Sequence, residues 1–316
     1  MANKSAVGVI GLGNMGRGVA TNLGKPDRDI YVWDIAEPAR ARFKDKPGYI
    51  IAPPGEMAKK CEAILFVVPA TPEIKACLEG ADGILANARQ GLILCDLTTS
   101  DPLASRALAA ELKPRGISYI DAGTSGGPTR ADAGDLTLMV GGDPGAVEKV
   151  AAYFDDISRK VYYLGDSGNG HTMKLLHNIV CHATFMATTE AFNIGEHAGL
   201  KLADMVEVLN DSNGRSYVTE SRYPNHILSK KWDGRSRVYN LYKDLKMGVE
   251  LGHRLGGGTE FSEATFRYLD KAIRRGMSEQ DYTLIYRDFD AIRAMGDGSA
   301  DAAASAPSSG KTRGAA

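Results

Sequence analysis

Residues 7–24 read VGVIGLGNMGRGVATNLG. An apolar run from Val7 to Ile10 meets three glycines, Gly11, Gly13 and Gly16, and a segment with helical spacing follows. Strand, Gly-x-Gly-x-x-Gly and helix in that order make a dinucleotide-binding turn. Gly11 permits the tight turn, Gly13 lets the backbone approach a pyrophosphate, and Gly16 lets the helix close on the strand. The N–H groups at the helix start then face the phosphates. Leu12, Asn14 and Met15 complete this cofactor-binding loop. The next strand ends in Asp34, 18 residues past Gly16. A carboxylate there accepts hydrogen bonds from ribose hydroxyls and repels a 2′-phosphate. NAD is therefore the expected cofactor, with NADP open because Arg40 and Arg42 lie nearby.

The rest of the chain sets limits around that turn. With 316 residues it is long for one domain and comfortable for two. A formal net charge of −1 and the lack of a long basic run argue against nucleic acid and against an acidic membrane surface. No apolar run approaches the ~20 residues that span a bilayer. The four cysteines, Cys61, Cys77, Cys95 and Cys181, form no CxxC pair and suggest neither zinc nor a disulfide framework. No carboxylate spacing resembles a metal site. The first residues enter the glycine turn at once and leave no room for a signal peptide, so a reducing, cytoplasmic setting is expected.

Up to about residue 165, short apolar runs alternate with helical stretches. The strand candidates are 6–10, 29–34, 63–68, 92–96, 117–122 and 136–140. Such alternation predicts βαβ units and a mostly parallel, doubly wound sheet, an α/β Rossmann domain over 1–165. From 167 to 200 a helical pattern runs without proline, and further helical segments follow at 202–211, 238–254, 262–276 and 282–295. An all-α domain is expected over 166–296, joined to the first by the long helix. The last stretch, 297–316, is small and polar and is expected to be disordered.

Two further constellations carry chemistry. Ser125-Gly126-Gly127 offers a hydroxyl and a flexible backbone whose N–H groups can converge on a carboxylate. Lys174 lies on the long helix with Asn178 one turn later, so both point to one side. A lone helical lysine is a solvated charge as readily as a catalytic group. In a partly desolvated cleft, however, a lysine gives up its proton more readily. That suits general acid–base work near neutral pH.

Four ordered segments resemble one family, the β-hydroxyacid dehydrogenases of the 3-hydroxyisobutyrate dehydrogenase and tartronate semialdehyde reductase kind. They are GLGNMGRGVATNL (11–23), DAGTSGGPTRADAGDLTLMVGG (121–142), GNGHTMKLLHN (168–178) and KDLKMG (243–248). Val19 and Thr124 depart from the family's usual methionine and valine. The resemblance implies a Rossmann domain, a connecting helix and a helical domain, with the active site in the cleft between. It implies that Lys174 shuttles the hydroxyl proton of a short 3-hydroxy acid during hydride transfer, with Asn178 positioning it. Ser125, Gly126 and Gly127 would hold the substrate carboxylate. His177, followed by Asn178 as in the 6-phosphogluconate branch, would meet a more polar substrate. Tyr217 would wall the pocket where tryptophan is common, and Asn240 would contact polar substituents. Val68, Pro69, Thr99 and Lys243 match positions along the cofactor. Family members are dimers or tetramers, so a homodimer or homotetramer is expected.

Two rivals stay open at this point. An imine reductase-like NADPH enzyme shares the fold, although that group usually lacks the catalytic lysine. A non-catalytic nucleotide-sensing protein on the same scaffold would have no need of a proton shuttle.

Overall fold

The computed structural model describes residues 4–296. It divides into two compact units, one ending at His177 and the next beginning at Asn178. The expected disordered tail, 297–316, lies outside the described residues.

The first unit holds one sheet of eight strands: β1 (Ser5–Ile10), β2 (Arg28–Trp33), β3 (Tyr49–Ile51), β4 (Ala63–Phe66), β5 (Ile93–Asp96), β6 (Ser118–Ser125), β7 (Leu136–Gly141) and β8 (Ser158–Tyr163). Their order is β3-β2-β1-β4-β5-β6-β7-β8. Every pair is parallel except β6 with β7. The chain leaves β1 toward β2 on one side and returns to β4 on the other. The glycine turn after β1 therefore stands at the point where the winding reverses, which is where doubly wound sheets bind ligands.

Alternation along the strands builds two cores, one on each face. Val7, Val9, Ala63, Leu65, Ile93 and Cys95 face one side. Ile10, Ile64, Phe66 and Leu94 face the other. Central strands buried on both faces need continuous apolar runs, and AILF in β4 supplies one. Two helices of this unit start where the sequence writes Asp-Pro. Asp101 accepts from Leu103 N–H ahead of helix Pro102–Leu112, and Asp143 accepts from Ala146 N–H ahead of Pro144–Ile157.

The second unit is helical, apart from an isolated bridge between Arg237 and Asp281. The helix Asn169–His197 carries the chain into it. Helices Leu202–Asn210, Val238–Leu255 and Glu260–Arg274 follow, with two short turns of helix at Leu284–Arg287 and Phe289–Arg293. Its core gathers Phe185, Phe192, Tyr223, Leu241, Leu245, Leu269 and Ile285. Between the expected helices at 202–211 and 238–254, the stretch from Val218 to Leu228 forms a π-helix with Pro224 inside it. The wider π turn is a feature that recurs at functional positions.

Candidate active site

The glycine turn has the shape its sequence requires. Gly11 adopts φ +93°, a left-handed conformation that a side chain would strain. A Cβ on Gly16 would collide with the carbonyl of Gly11, so only glycine lets this helix close on the turn. Gly13 is exposed, with open space where a Cβ would stand. Helix Gly16–Leu23 begins at Met15 with no side-chain cap on its first N–H groups. An open glycine in front of an uncapped helix start fits the pyrophosphate of a dinucleotide.

Asp34 sits at the end of β2, and its carboxylate is tied on both oxygens to the backbone. Leu12 N–H donates to one at 2.7 Å and Ala36 N–H to the other at 2.8 Å. Leu12 itself is a core residue, so it shapes the turn through its backbone. Asn14 is exposed, and Met15 packs its side chain against the core. Val68 adjoins the turn, with its Cγ1 3.0 Å from where a Gly11 Cβ would stand, and exposed Pro69 follows it. Arg40 donates to the carbonyl of Asp34 at 2.6 Å and stacks over the Trp33 ring at 4.7 Å.

The second group forms where β6 ends. Gly126 turns the chain at φ +134° and Gly127 opens the helix Gly127–Ala133. A Cβ on Gly126 would stand 2.8 Å from Arg130 Cβ. Ser125 Oγ lies 3.2 Å from His177 Nε2, which brings together two of the residues expected at the substrate. Lys174 is buried, 8% exposed. Its stem lies against Gly123, where an added Cβ would stand 2.5 Å from Lys174 Cβ. Thr124 Oγ1 reaches the Leu97 carbonyl at 3.4 Å and so ties this strand end to the segment that carries Thr99.

Beneath Lys174 lies a polar network that the sequence did not single out as functional. Asp96 and Asp121 are register partners on β5 and β6, and both are fully buried. The Asp121 carboxylate accepts from Gly168 N–H at 2.6 Å and from His171 N–H at 2.9 Å, which caps the start of the Lys174 helix. Burial raises the Asp121 carboxyl above the usual range, against the opposing pull of His171 and the donated N–H groups. The His171 ring lies between Ser105 Oγ at 2.7 Å and the Asp96 carbonyl at 3.3 Å. The Asp96 carboxylate accepts from Thr98 Oγ1 at 2.5 Å and Tyr119 OH at 2.6 Å. Burial, then the Asp96 charge, pushes the Tyr119 hydroxyl well above its usual value. The signal for this network was the pair of aspartates that close two apolar strand runs, where a buried acid must find donors.

In the second unit, Asn178 is buried and donates its amide to Asp244 Oδ2 at 2.8 Å. Lys243 Nζ lies 3.2 Å from the other oxygen of Asp244. The structure thus joins Asn178 to the KDL segment through one carboxylate. Asn240 uses its amide locally, donating to Ser236 Oγ at 3.1 Å. Tyr217 is 55% exposed and stands just ahead of the π-helix.

Comparison with known proteins matches the chain twice. The model of the NAD binding domain of 6-phosphogluconate dehydrogenase matches residues 6–165. That of NAD-binding of NADP-dependent 3-hydroxyisobutyrate dehydrogenase matches residues 168–289. The mitochondrial 3-hydroxyisobutyrate dehydrogenase of Rattus norvegicus is 33% identical, covering 91% of this chain and 88% of the relative. The 2-(hydroxymethyl)glutarate dehydrogenase of Eubacterium barkeri is 29% identical, covering 80% of this chain and 84% of that one. In fold, the chain is similar to Mycobacterium tuberculosis 3-hydroxyisobutyrate dehydrogenase solved with L-serine, at a TM-score of 0.81 and 20% identity, covering 90% of this chain and 99% of that one. The chain therefore belongs to the β-hydroxyacid dehydrogenases of 3-hydroxyisobutyrate dehydrogenase type, and is an oxidoreductase of a 3-hydroxy acid that takes NAD or NADP.

Proposed function

We propose that the protein interconverts a short 3-hydroxy acid and its carbonyl form, with Lys174 as general acid and base and NAD as the preferred cofactor. The observation that carries this reading is the burial of Lys174, whose stem packs against Gly123, two residues before the Ser125-Gly126-Gly127 turn. The nicotinamide, when bound, supplies the hydride acceptor or donor. Ser125 Oγ and the backbone N–H groups of Gly126 and Gly127 hold the substrate carboxylate. That fixes the hydroxyl carbon, and orientation of this kind lowers a barrier by several kcal/mol. Lys174 takes the hydroxyl proton as the carbonyl forms and returns it in the reverse direction. Asn178, oriented by Asp244, keeps its place one turn along the same helix face. His177, on Ser125 Oγ, aligns that hydroxyl for the carboxylate. Thr99, Val68 and Pro69 flank the cofactor.

The preference for NAD rests on Asp34, whose fixed carboxylate suits ribose hydroxyls and repels a 2′-phosphate. A cytoplasmic setting is part of the same proposal, since the spacing of the four cysteines offers no disulfide framework. Self-association is part of the same reading. Met173, Leu176, Val180 and Ile194 lie on one stripe of the long helix and are exposed, Val180 by 66% and Ile194 by 63%. Such a stripe is an interaction face, and a second copy of this chain is its proposed occupant. Light scattering should give the mass of a dimer or tetramer, and a monomer would contradict it.

The central test is Lys174→Ala, assayed with 3-hydroxyisobutyrate, serine and threonine and with both cofactors. Removing a general acid–base costs about 10²–10⁴-fold in turnover, while NAD binding is expected to persist. Undiminished turnover would remove Lys174 from the chemistry.

A further inference from the structure

Two helices of the first unit lie against each other, and each leads away from one of the glycine turns. Helix Gly16–Leu23 follows the dinucleotide turn, and helix Gly127–Ala133 continues the Ser125-Gly126-Gly127 turn. They meet at backbone distance at Gly18, where a Cβ would stand 2.5 Å from the Ala131 carbonyl carbon and 2.7 Å from Asp132 N. One turn later Asn22 reaches across. Its Nδ2 donates within its own helix to the Gly18 carbonyl at 2.9 Å. In the other helix it donates to the Ala131 carbonyl at 2.8 Å and lies 3.3 Å from that of Asp132. Arg17 adds an ion pair to Asp132 at 2.9 Å.

The last carbonyls of a helix find no partner within it. Here the Asn22 amide serves them, together with Gly134 N–H, which turns back at φ +67°. All the groups around Nδ2 are acceptors, so only the amide nitrogen of Asn22 can face them. Ala131 is the one buried residue of helix Gly127–Ala133, so apolar packing holds this helix weakly. The Arg17–Asp132 pair is open to solvent on both sides, and such a pair contributes little. The junction therefore depends on Asn22 and on the missing side chain at Gly18. A helix of seven residues spans about 10 Å and moves as a rod. What fixes its end also fixes its start. Ser125 is held independently, as the register partner of Thr137 on β7, while Gly126 and Gly127 lie beyond that ladder.

We propose that Asn22 is a positioning residue for the substrate carboxylate, and that it acts by holding the N–H groups of Gly126 and Gly127 in place relative to Ser125 Oγ. This rests on the carboxylate role proposed above for the Ser125-Gly126-Gly127 turn. One carboxylate must meet the hydroxyl, fixed by the sheet, and the two N–H groups, carried by the helix. When the junction at Asn22 is lost, the helix shifts against the sheet and the two sets of donors no longer fit one ligand. A carboxylate that is held by the N–H groups alone follows them, and the same shift then costs less. The helix that leaves the dinucleotide turn is thereby the anchor of the substrate turn as well.

The test is the binding of isobutyrate, followed by calorimetry with NAD at saturation. Isobutyrate carries no hydroxyl to oxidise, so the result does not depend on turnover. Ser125→Ala and Asn22→Ala are each expected to weaken it about tenfold, as one lost hydrogen bond to a charged group would. Asn22→Ala is expected to leave NAD affinity, measured without isobutyrate, unchanged. Asn22→Gln keeps an amide donor at longer reach; it should recover part of the isobutyrate affinity and guards against a folding defect in the alanine variant. The double variant Asn22→Ala with Ser125→Ala is expected to lose about twentyfold, well short of the roughly hundredfold that independent losses would give. A general loosening of the fold would not produce that shortfall. Equal isobutyrate affinity in wild type and Asn22→Ala, or losses that multiply in full, would overturn the proposal. An equal fall in NAD affinity would overturn it too, since the amide would then serve the dinucleotide turn. Wild-type isobutyrate affinity in Ser125→Ala would overturn the carboxylate reading itself and this inference with it. The two failures thus fall on different variants.

Discussion

Gly123 lies so close to Lys174 that a methyl group at position 123 would stand 2.5 Å from Lys174 Cβ and 3.0 Å from its Cγ. The same methyl would stand 3.3 Å from the Gly170 carbonyl, so the stem cannot escape sideways without moving its helix. Gly123→Ala is expected to displace the amine while leaving the glycine turn untouched. A displacement near 1 Å costs about 10²-fold in rate. Steady-state kinetics should show a fall in kcat of about tenfold to a hundredfold with NAD affinity unchanged. Full activity in that variant would mean that the amine position does not matter.

Asp121, which caps the start of the Lys174 helix, links the stability of the fold to pH. Burial raises its carboxyl in the folded state. Between the unfolded value, about 3.9, and the raised folded one, the folded protein holds more protons than the unfolded chain. The unfolding free energy therefore falls as pH rises through that window, and the contribution is constant above it. Asp121→Asn has no proton to hold, so the slope that Asp121 contributes should vanish from urea melts taken from pH 4 upward. The variant also faces an amide nitrogen toward Gly168 N–H or His171 N–H and loses one of the two bonds. A loss of about 1–3 kcal/mol near neutral pH is expected. Parallel pH curves for the two proteins would contradict the burial argument.

Asp34 should set the cofactor ratio. Asp34→Ser removes the charge that repels a 2′-phosphate and leaves Arg40 beside the vacated place, already stacked on Trp33. The kcat/KM with NAD is expected to fall about tenfold and that with NADP to rise, as ribose contacts worth one or two hydrogen bonds are exchanged. An unchanged ratio would move the source of discrimination elsewhere.

The helical unit offers a stability test that is independent of catalysis. Tyr223 is fully buried and donates to Thr189 Oγ1 at 2.9 Å, while its ring meets Phe192 edge-on at 4.7 Å. Thr189 keeps its own bond to the Phe185 carbonyl at 2.7 Å, so Tyr223→Phe leaves no donor stranded. The cost should be about 1 kcal/mol. Tyr223→Ala should cost about 3–5 kcal/mol, because the cavity cannot close. Chemical denaturation distinguishes the two.

Much of this was legible in the sequence, and the failures have physical causes. Six strands announced themselves because they are buried and apolar. The strand β3 is three residues long with two of them exposed, and β8, SRKVYY, is an edge strand with little buried surface. Neither carries a pattern of its own, and both are held by pairing with a neighbour. The expected β6 stopped at residue 122, yet it runs to Ser125 because β7 returns antiparallel beside it. Propensity alone would not extend a strand through Gly123. The glycine turn and the Lys174 helix were readable from spacing. The network of Asp96, Asp121, Ser105 and His171 was not, since its partners stand up to 75 positions apart in the chain. Nor was the π-helix: the proline at 224 argues for a loop, and the wider turn accommodates it.

The bonds from Leu12 and Ala36 to Asp34 have a consequence for anyone who would re-engineer the enzyme. The carboxylate proposed to choose between nucleotides also laces the loop after β1 to the end of β2. Exchanging it for a neutral side chain to recruit the phosphorylated coenzyme unlaces the loop at the same stroke. The hydroxyl of Asp34→Ser can keep one of the two bonds, a full switch will need a second substitution that restores the other, and most other clones in a library randomised at position 34 should lose affinity for both coenzymes.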